Sequence, residues 1–166
     1  MTNQLDQIYI QHKNKTVILD TNILLVYLIG CIDPKLIKDF KRTQAYCIED
    51  FYVLDYLIKK FKKISTTPNI LTEVSNLGGQ LSGNLKTEFF VILSQFIQVI
   101  GEEYLPSSEV SKNHFFVKYG ITDTGIFDLI NTGNYLVITN DFRLSGNFSN
   151  YSVNINHLRT YYLKEA

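Results

Sequence analysis

Apolar residues along this chain fall into short β-branched runs separated by longer stretches with helical spacing. The first run, Thr16–Leu19, predicts a buried strand, and Tyr135–Thr139 predicts the best strand of the C-terminal half. Residues 64–67 and 153–155 are two further candidate strands. Because strands that alternate with helices pack into layers, the pattern predicts an α/β fold with three layers and a mostly parallel central sheet.

The spacing of apolar residues, with capping residues, glycines and prolines, predicts helices between these strands. They cover residues 22–29, 46–63, 68–74, 85–98, 107–119 and 120–130, and a tail helix runs through Leu158 and Leu163. Residues 77–84 contain three glycines and predict a flexible loop. Residues 1–15 are mostly polar around one apolar triplet, Ile8-Tyr9-Ile10, and predict an N-terminal arm with at most a short edge strand, followed by one domain over residues 16–166.

Composition narrows the class of protein without giving its function. Hydrophobic residues make up 45% of the chain and charged residues 19%, which excludes a disordered protein. Sixteen basic residues balance sixteen acidic ones, so a nucleic-acid partner would have to bind a local patch or bound metal ions. Cys31 and Cys47 lack the spacing of a zinc site and predict buried, reduced thiols. Since neither a signal peptide nor a membrane span is visible, a cytoplasmic location is expected.

Four acidic residues stand where a strand ends or where a helix carries its first turns: Asp20, Glu73, Asp123 and Asp141. A carboxylate that follows a buried strand is costly unless a cation, a hydrogen-bond donor or water meets it. Asp20 and Asp141 both follow predicted parallel strands, whose carboxyl ends meet at one edge of a sheet. We therefore expect the four carboxylates to converge on one pocket.

Each acid also has an ordinary explanation when it is taken alone. Asp20 could cap the following helix, Glu73 could be a solvated helix residue, Asp123 could interact with a helix dipole, and Asp141 could be a turn residue. Asp128 follows Asp123 by five residues and therefore points away from it on a helix. Only the joint occurrence of the four acids favours a common site.

The segments around these acids carry a family resemblance. They are VILDTN over residues 17–22, TPNILTEV over 67–74, GITDTGI over 120–126 and LVITNDF over 136–142. In these motifs, and in their order and approximate spacing across residues 15–155, the chain resembles the PIN-domain nucleases. Any one motif is weak, but the four together are specific.

The resemblance implies a metal-dependent endoribonuclease that hydrolyses phosphodiester bonds of single-stranded RNA and leaves 5′-phosphate and 3′-hydroxyl ends. Asp20, Glu73, Asp123 and Asp141 would be both the catalytic residues and the metal ligands. Carboxylate oxygens suit Mg²⁺ or Mn²⁺, and clustered carboxylates repel one another without a cation. Toxins neutralised by an antitoxin protein, RNA-processing enzymes and defence nucleases share these motifs, and many members form homodimers. The alternative is a catalytically silent PIN-like module that binds RNA or protein.

Further residues are candidates for supporting roles. Asn22 could orient a neighbouring carboxylate or equally cap a helix. Thr139 could donate its hydroxyl to Asp20 or to a bound water, or be an ordinary β-branched strand residue. Arg143, two residues beyond Asp141, is a candidate contact for a substrate phosphate. Lys59 and Lys63 belong to a dense basic run that could bind phosphates, but a solvated helix end is the more ordinary explanation.

Overall fold

The computed structural model describes residues 4–141 and 150–164. Across these residues, five strands form one sheet in which every neighbouring pair is parallel, in the order β3-β2-β1-β4-β5. The strands are β1 Thr16–Leu19, β2 Ile64–Thr66, β3 Gly101–Glu102, β4 Tyr135–Thr139 and β5 Ser152–Asn154. The predicted three-layer α/β/α fold with a parallel sheet is confirmed.

Helices connect β1 to β2, β2 to β3 and β3 to β4, and further helices precede β1 and follow β5. In chain order they are α1 Gln4–His12, α2 Thr21–Ile32, α3 Leu36–Asp39, α4 Ile48–Lys60, α5 Pro68–Gly78, α6 Gly83–Ile97, α7 Ser107–Val110, α8 Phe116–Asn131 and α9 Ile155–Leu163. In the described ranges, no helix is long and apolar enough to cross a lipid bilayer.

The two strands that are each followed by a candidate acid, β1 and β4, are neighbours in the sheet. β1 pairs with β4 in parallel register, from Thr16 opposite Tyr135 to Leu19 opposite Ile138. Both strands therefore end at the same edge, which we call the C-terminal edge. This pairing confirms the predicted closeness of the two strands and brings the residues that follow them side by side.

Helix α2, which begins at the C-terminal edge, forms the centre of the core. Its buried side chains include Ile23, Leu25 and Leu28, and they occupy nearly every side of the helix. α2 packs against α4, α5 and α6 and also contacts β1 and β4. A helix that is apolar all round must be enclosed in this way, so its first turn is held rigidly beside the sheet.

The N-terminal segment differs from its prediction. Residues 4–12 form helix α1, so the expected edge strand is wrong. Leu5 is buried in the core, and Asp6 accepts hydrogen bonds from the side chains of Tyr56 and Lys60 on α4. Leu5, Ile8 and Tyr9 follow the spacing of one helix face and pack on the core, a pattern that the triplet at residues 8–10 does not show by itself.

Three other local predictions need correction. The loop expected over residues 77–84 is shorter, because α5 continues to Gly78 and α6 begins at Gly83. Gly78 serves packing, since a Cβ there would stand 2.0 Å from a ring carbon of Phe89. The helix expected over residues 107–119 is interrupted between α7 and α8. Neither cysteine is buried, because Cys31 is exposed and Cys47 is half-buried.

Candidate active site

Asp20 is buried at the junction between β1 and α2. Its side chain is only 6% exposed. One carboxylate oxygen, Oδ1, accepts a hydrogen bond of 2.9 Å from the backbone N–H of Ile23 and so caps α2. The other, Oδ2, accepts a hydrogen bond from the hydroxyl of Thr139, the contact that sequence considerations suggested for that threonine. Asp20 is therefore a helix cap whose second oxygen faces the end of β4.

The environment of Asp20 disfavours its negative charge. Burial raises the pKa of Asp20 from 3.8 to about 6. Hydrogen bonds from Thr139 and from the backbone N–H groups of Ile23 and Asn22 oppose this rise, whereas the negative charge of Asp123 adds to it. Within the described residues, Asp20 forms no salt bridge that would offset its burial. A cation at this position would lower the pKa again.

Thr139 links Asp20 to the residues that follow β4. It is fully buried, and its hydroxyl also accepts a hydrogen bond of 2.9 Å from the backbone N–H of Asp141. Asp141 is half-buried and lies two residues beyond the end of β4. One hydroxyl thus fixes both the carboxylate of Asp20 and the backbone of Asp141.

Glu73 is held by two threonine hydroxyls from different helices. Its Oε2 accepts a hydrogen bond of 2.7 Å from Thr21 on α2, and its Oε1 accepts one of 2.6 Å from Thr122 on α8. Thr21 directly follows Asp20 in the chain, and Thr122 directly precedes Asp123. Although Glu73 is an exposed residue, these bonds tie its carboxylate to the chain neighbours of both aspartates.

A kink in α8 determines where Asp123 lies. Gly120 has φ 75° and ψ −174°, so the continuous segment Phe116–Asn131 is two helical pieces joined at this glycine. This conformation is essentially restricted to glycine. The second piece begins just after Gly120, as predicted, and Asp123 stands in its first turn, near enough to Asp20 to affect its charge.

The four acids lie around the C-terminal edge, as their links to Thr139, to α2 and to one another indicate. In the part of the chain that the structure describes, no three His, Cys, Asp or Glu residues are grouped closely enough to hold a metal ion. Threonine hydroxyls occupy both oxygens of Glu73 and one oxygen of Asp20 instead. The donor set, which consists of carboxylate and hydroxyl oxygens, fits a hard divalent cation in its chemistry. The common metal pocket stays a prediction.

The other predicted supporting residues have different surroundings. Asn22 is exposed in the first turn of α2, and the cap of that helix is Asp20, so Asn22 is not the cap. Asp128 is half-buried and accepts a hydrogen bond of 2.7 Å from the side chain of Asn113. It belongs to a separate contact between α8 and the segment before it.

Lys59 and Lys63 lie away from the four candidate acids. α4 ends at Lys60 and β2 begins at Ile64, at the N-terminal edge of the sheet, opposite the edge that carries Asp20. Lys59 forms an exposed ion pair of 2.6 Å with Asp55. The structure therefore favours the solvated helix end over phosphate binding for this run. Arg143 lies outside the described residues.

Sequence considerations missed three residues that complete the site. Thr21 and Thr122 each adjoin an acid in the chain, and that adjacency was the available indication of their role. Tyr46 gave no indication, because an aromatic residue before an amphipathic helix is ordinary core. It is 6% exposed, and its buried hydroxyl donates no hydrogen bond within the described part of the chain. The Asn140 side chain and the carboxylates of Asp20 and Asp50 are close enough to influence it.

Comparison with known proteins returned no similarity: no family model, no curated protein and no solved structure matches this chain.

Proposed function

We propose that this protein is a Mg²⁺- or Mn²⁺-dependent endoribonuclease that hydrolyses single-stranded RNA at the C-terminal edge of its sheet. The observation that carries the proposal is the position of Asp20. It is a buried acid with a raised pKa, it forms no salt bridge with the described residues, and it lies near the charge of Asp123. Such an arrangement is unfavourable in the resting protein and favours binding of a cation.

The proposed metal ligands are Asp20, Glu73, Asp123 and Asp141. When bound, a divalent cation would supply an activated water and would stabilise negative charge on the phosphate oxygens. The chain's own residues orient the ligands: Thr139 and the first turn of α2 hold Asp20, while Thr21 and Thr122 hold Glu73. Hydrogen bonds of this kind commonly fix ligand orientation in metal sites.

The resemblance to PIN-domain nucleases extends the proposal to biological context. On this basis we also propose that the protein acts as a toxin neutralised by an antitoxin protein, forms a homodimer and is cytoplasmic. These proposals rest on the family motifs alone. The size of the purified protein in solution tests the homodimer directly.

A cleavage assay tests the activity. We expect the wild-type protein to cut a generic single-stranded RNA in Mn²⁺ or Mg²⁺ and to stop in excess chelator. Asp20→Asn should abolish cleavage without unfolding the protein. Asp128→Asn is the matched control, because it neutralises an acid on the same helix as Asp123 and retains an oxygen for Asn113. Cleavage by Asp20→Asn at the wild-type rate would contradict the proposal.

A second candidate is a PIN-like module that binds RNA or protein without cutting. One observation favours it: no metal-binding group of three acids is assembled among the described residues. It predicts that RNA binds equally well with and without chelator and is recovered intact.

A further inference from the structure

Two buried hydrogen-bond donors at the C-terminal edge donate to no residue that the structure describes. They are the Tyr46 hydroxyl and the Asn154 amide nitrogen Nδ2, which are both enclosed by protein. Tyr46 is 6% exposed and Asn154 is 3% exposed. An unpaired buried donor is costly, so native proteins rarely keep one without a function or a bound partner.

Both donors adjoin the Asp20–Thr139 pair. Asn154 ends β5 and stands opposite Thr139 in the parallel register of β4 and β5, so the two side chains share a face of the sheet. Tyr46 lies beside Asn140, the residue after Thr139, and is close enough to Asp20 for their charges to interact. The two donors therefore lie close to the proposed metal ligands Asp20 and Asp141, which Thr139 links.

The other parts of both side chains have contacts, so in each residue only the donor atom lacks an acceptor among the described residues. The Asn154 side-chain oxygen accepts a hydrogen bond of 2.9 Å from the backbone N–H of Asn156 and caps α9. The Tyr46 ring is packed in the core. The Asn140 side chain lies close enough to interact with the Tyr46 hydroxyl oxygen and favours its ionised form, as a donor would, whereas the hydroxyl itself donates to no described residue. Burial raises the pKa of Tyr46 well above its ordinary value, so its hydroxyl keeps its proton.

We propose that Tyr46 and Asn154 donate hydrogen bonds to the phosphate oxygens of a bound nucleotide. This inference rests on the proposed function, since the same site would act on a phosphodiester. Neutral donors suit the position, because a lysine or arginine here would pair with Asp20 and compete with a cation. Phosphate oxygens accept hydrogen bonds strongly and would satisfy both donors at once.

Thermal unfolding with adenosine 5′-monophosphate as the probe tests this inference. Melting temperatures of the wild-type protein, Tyr46→Phe and Asn154→Ser would be measured without ligand, with Mn²⁺, and with Mn²⁺ plus the nucleotide. Tyr46→Phe removes only the hydroxyl, and Asn154→Ser keeps a capping oxygen for α9. Tyr52→Phe is the matched control, because Tyr52 is an exposed tyrosine on α4.

Without ligand, Tyr46→Phe should melt at the wild-type temperature or higher, since it removes an unpaired buried group. Its response to Mn²⁺ alone should match that of the wild-type protein. Its affinity for the nucleotide should fall about fivefold to tenfold, as expected for one lost hydrogen bond, and Asn154→Ser should weaken binding in the same direction. Tyr52→Phe should bind like the wild-type protein.

Several results would overturn the inference. One is wild-type nucleotide affinity in Tyr46→Phe, and another is a wild-type protein that does not respond to the nucleotide. A clear loss of stability in Tyr46→Phe without ligand would mean that the hydroxyl supports the buried Asp50 in the resting fold. The proposed function fails separately: RNA left uncut by a protein whose nucleotide binding depends on Tyr46 would remove the nuclease activity and leave the inference standing.

Discussion

At the scale of single residues, Asp20 caps a helix although its own negative charge is disfavoured. Its Oδ1 caps α2, which is a structural contribution, while burial and the nearby Asp123 make its charge unfavourable. The cap explains why an acid is tolerated at the end of a buried strand. It does not explain the raised pKa, because a cap on an exposed helix start normally lowers the pKa of its carboxylate.

Asp20 should make the stability of the metal-free protein depend on pH. Its folded pKa of about 6 lies above the ordinary value of 3.8, so the folded state binds the proton more tightly than the unfolded state. The stabilisation is complete below about pH 4 and is lost as the pH rises through 6, by an amount on the order of 3 kcal/mol.

Urea unfolding in chelator at pH 4.5 and pH 7 measures this effect, with Asp20→Asn as the reference. Relative to Asp20→Asn, the wild-type protein should lose stability as the pH rises. A difference between the two proteins that stays constant across this range would contradict the assigned environment of Asp20.

Thr139 should matter through its hydroxyl. Thr139→Val keeps the shape of the side chain but removes the donor to Asp20 and the acceptor for the Asp141 N–H, at a cost of about 1–3 kcal/mol in the free energy of unfolding. Thr139→Ser keeps the hydroxyl and loses a methyl group. The Val variant should also bind Mn²⁺ more weakly than the Ser variant, which a titration would show. Equal Mn²⁺ affinities would mean that the hydroxyl does not orient the site.

Sequence patterns were sufficient for residues whose role follows from their position after a strand. Asp20 and Thr139 are of this kind, because strand period and parallel pairing place both at one edge. Tyr46 and Asn154 could not be predicted, since what distinguishes them is a missing hydrogen bond. The absence of a partner is a property of packing and has no local pattern in the chain.

At the scale of elements, the kink at Gly120 connects the fold to the site. It separates the two parts of α8 and starts the second part so that Thr122 reaches Glu73. Sequence considerations placed a helix start here correctly. They extended the preceding helix from residue 107 to 119 because the apolar spacing continues. The chain instead turns after α7 at Asn113, whose side chain accepts a hydrogen bond from the Phe115 N–H and donates one to Asp128.

Gly120→Ala should strain this kink, because an L-residue rarely adopts φ 75° with ψ −174°. We expect a loss of about 1–3 kcal/mol in the free energy of unfolding, together with reduced Mn²⁺ affinity. Gly125→Ala is the matched control on the same helix. Its Cβ would meet only Leu105, at an ordinary 3.5 Å, so it should be neutral or slightly stabilising. Equal stability of the two variants in urea unfolding would show that the kink carries no constraint.

At the scale of the whole molecule, charge is divided between the two edges of the sheet. The four candidate acids lie around the C-terminal edge, two after strands and two on helices, while the lysine run at residues 59–63 lies at the N-terminal edge. An RNA bound at the acids therefore gains no help from that run. This separation is invisible in the balanced net charge of the chain, and it makes a bound cation the more important attraction for phosphate.

The central claim is that the C-terminal edge binds a divalent cation through Asp20 and its neighbours. Mn²⁺ binding followed by electron paramagnetic resonance tests it most directly, on the wild-type protein, Asp20→Asn and Asp128→Asn. We predict saturable binding to the wild-type protein, the same affinity in Asp128→Asn, and an affinity at least tenfold weaker in Asp20→Asn. Equal Mn²⁺ affinity in Asp20→Asn and the wild-type protein, or no saturable binding by either, would contradict the claim and leave Asp20 as a helix cap.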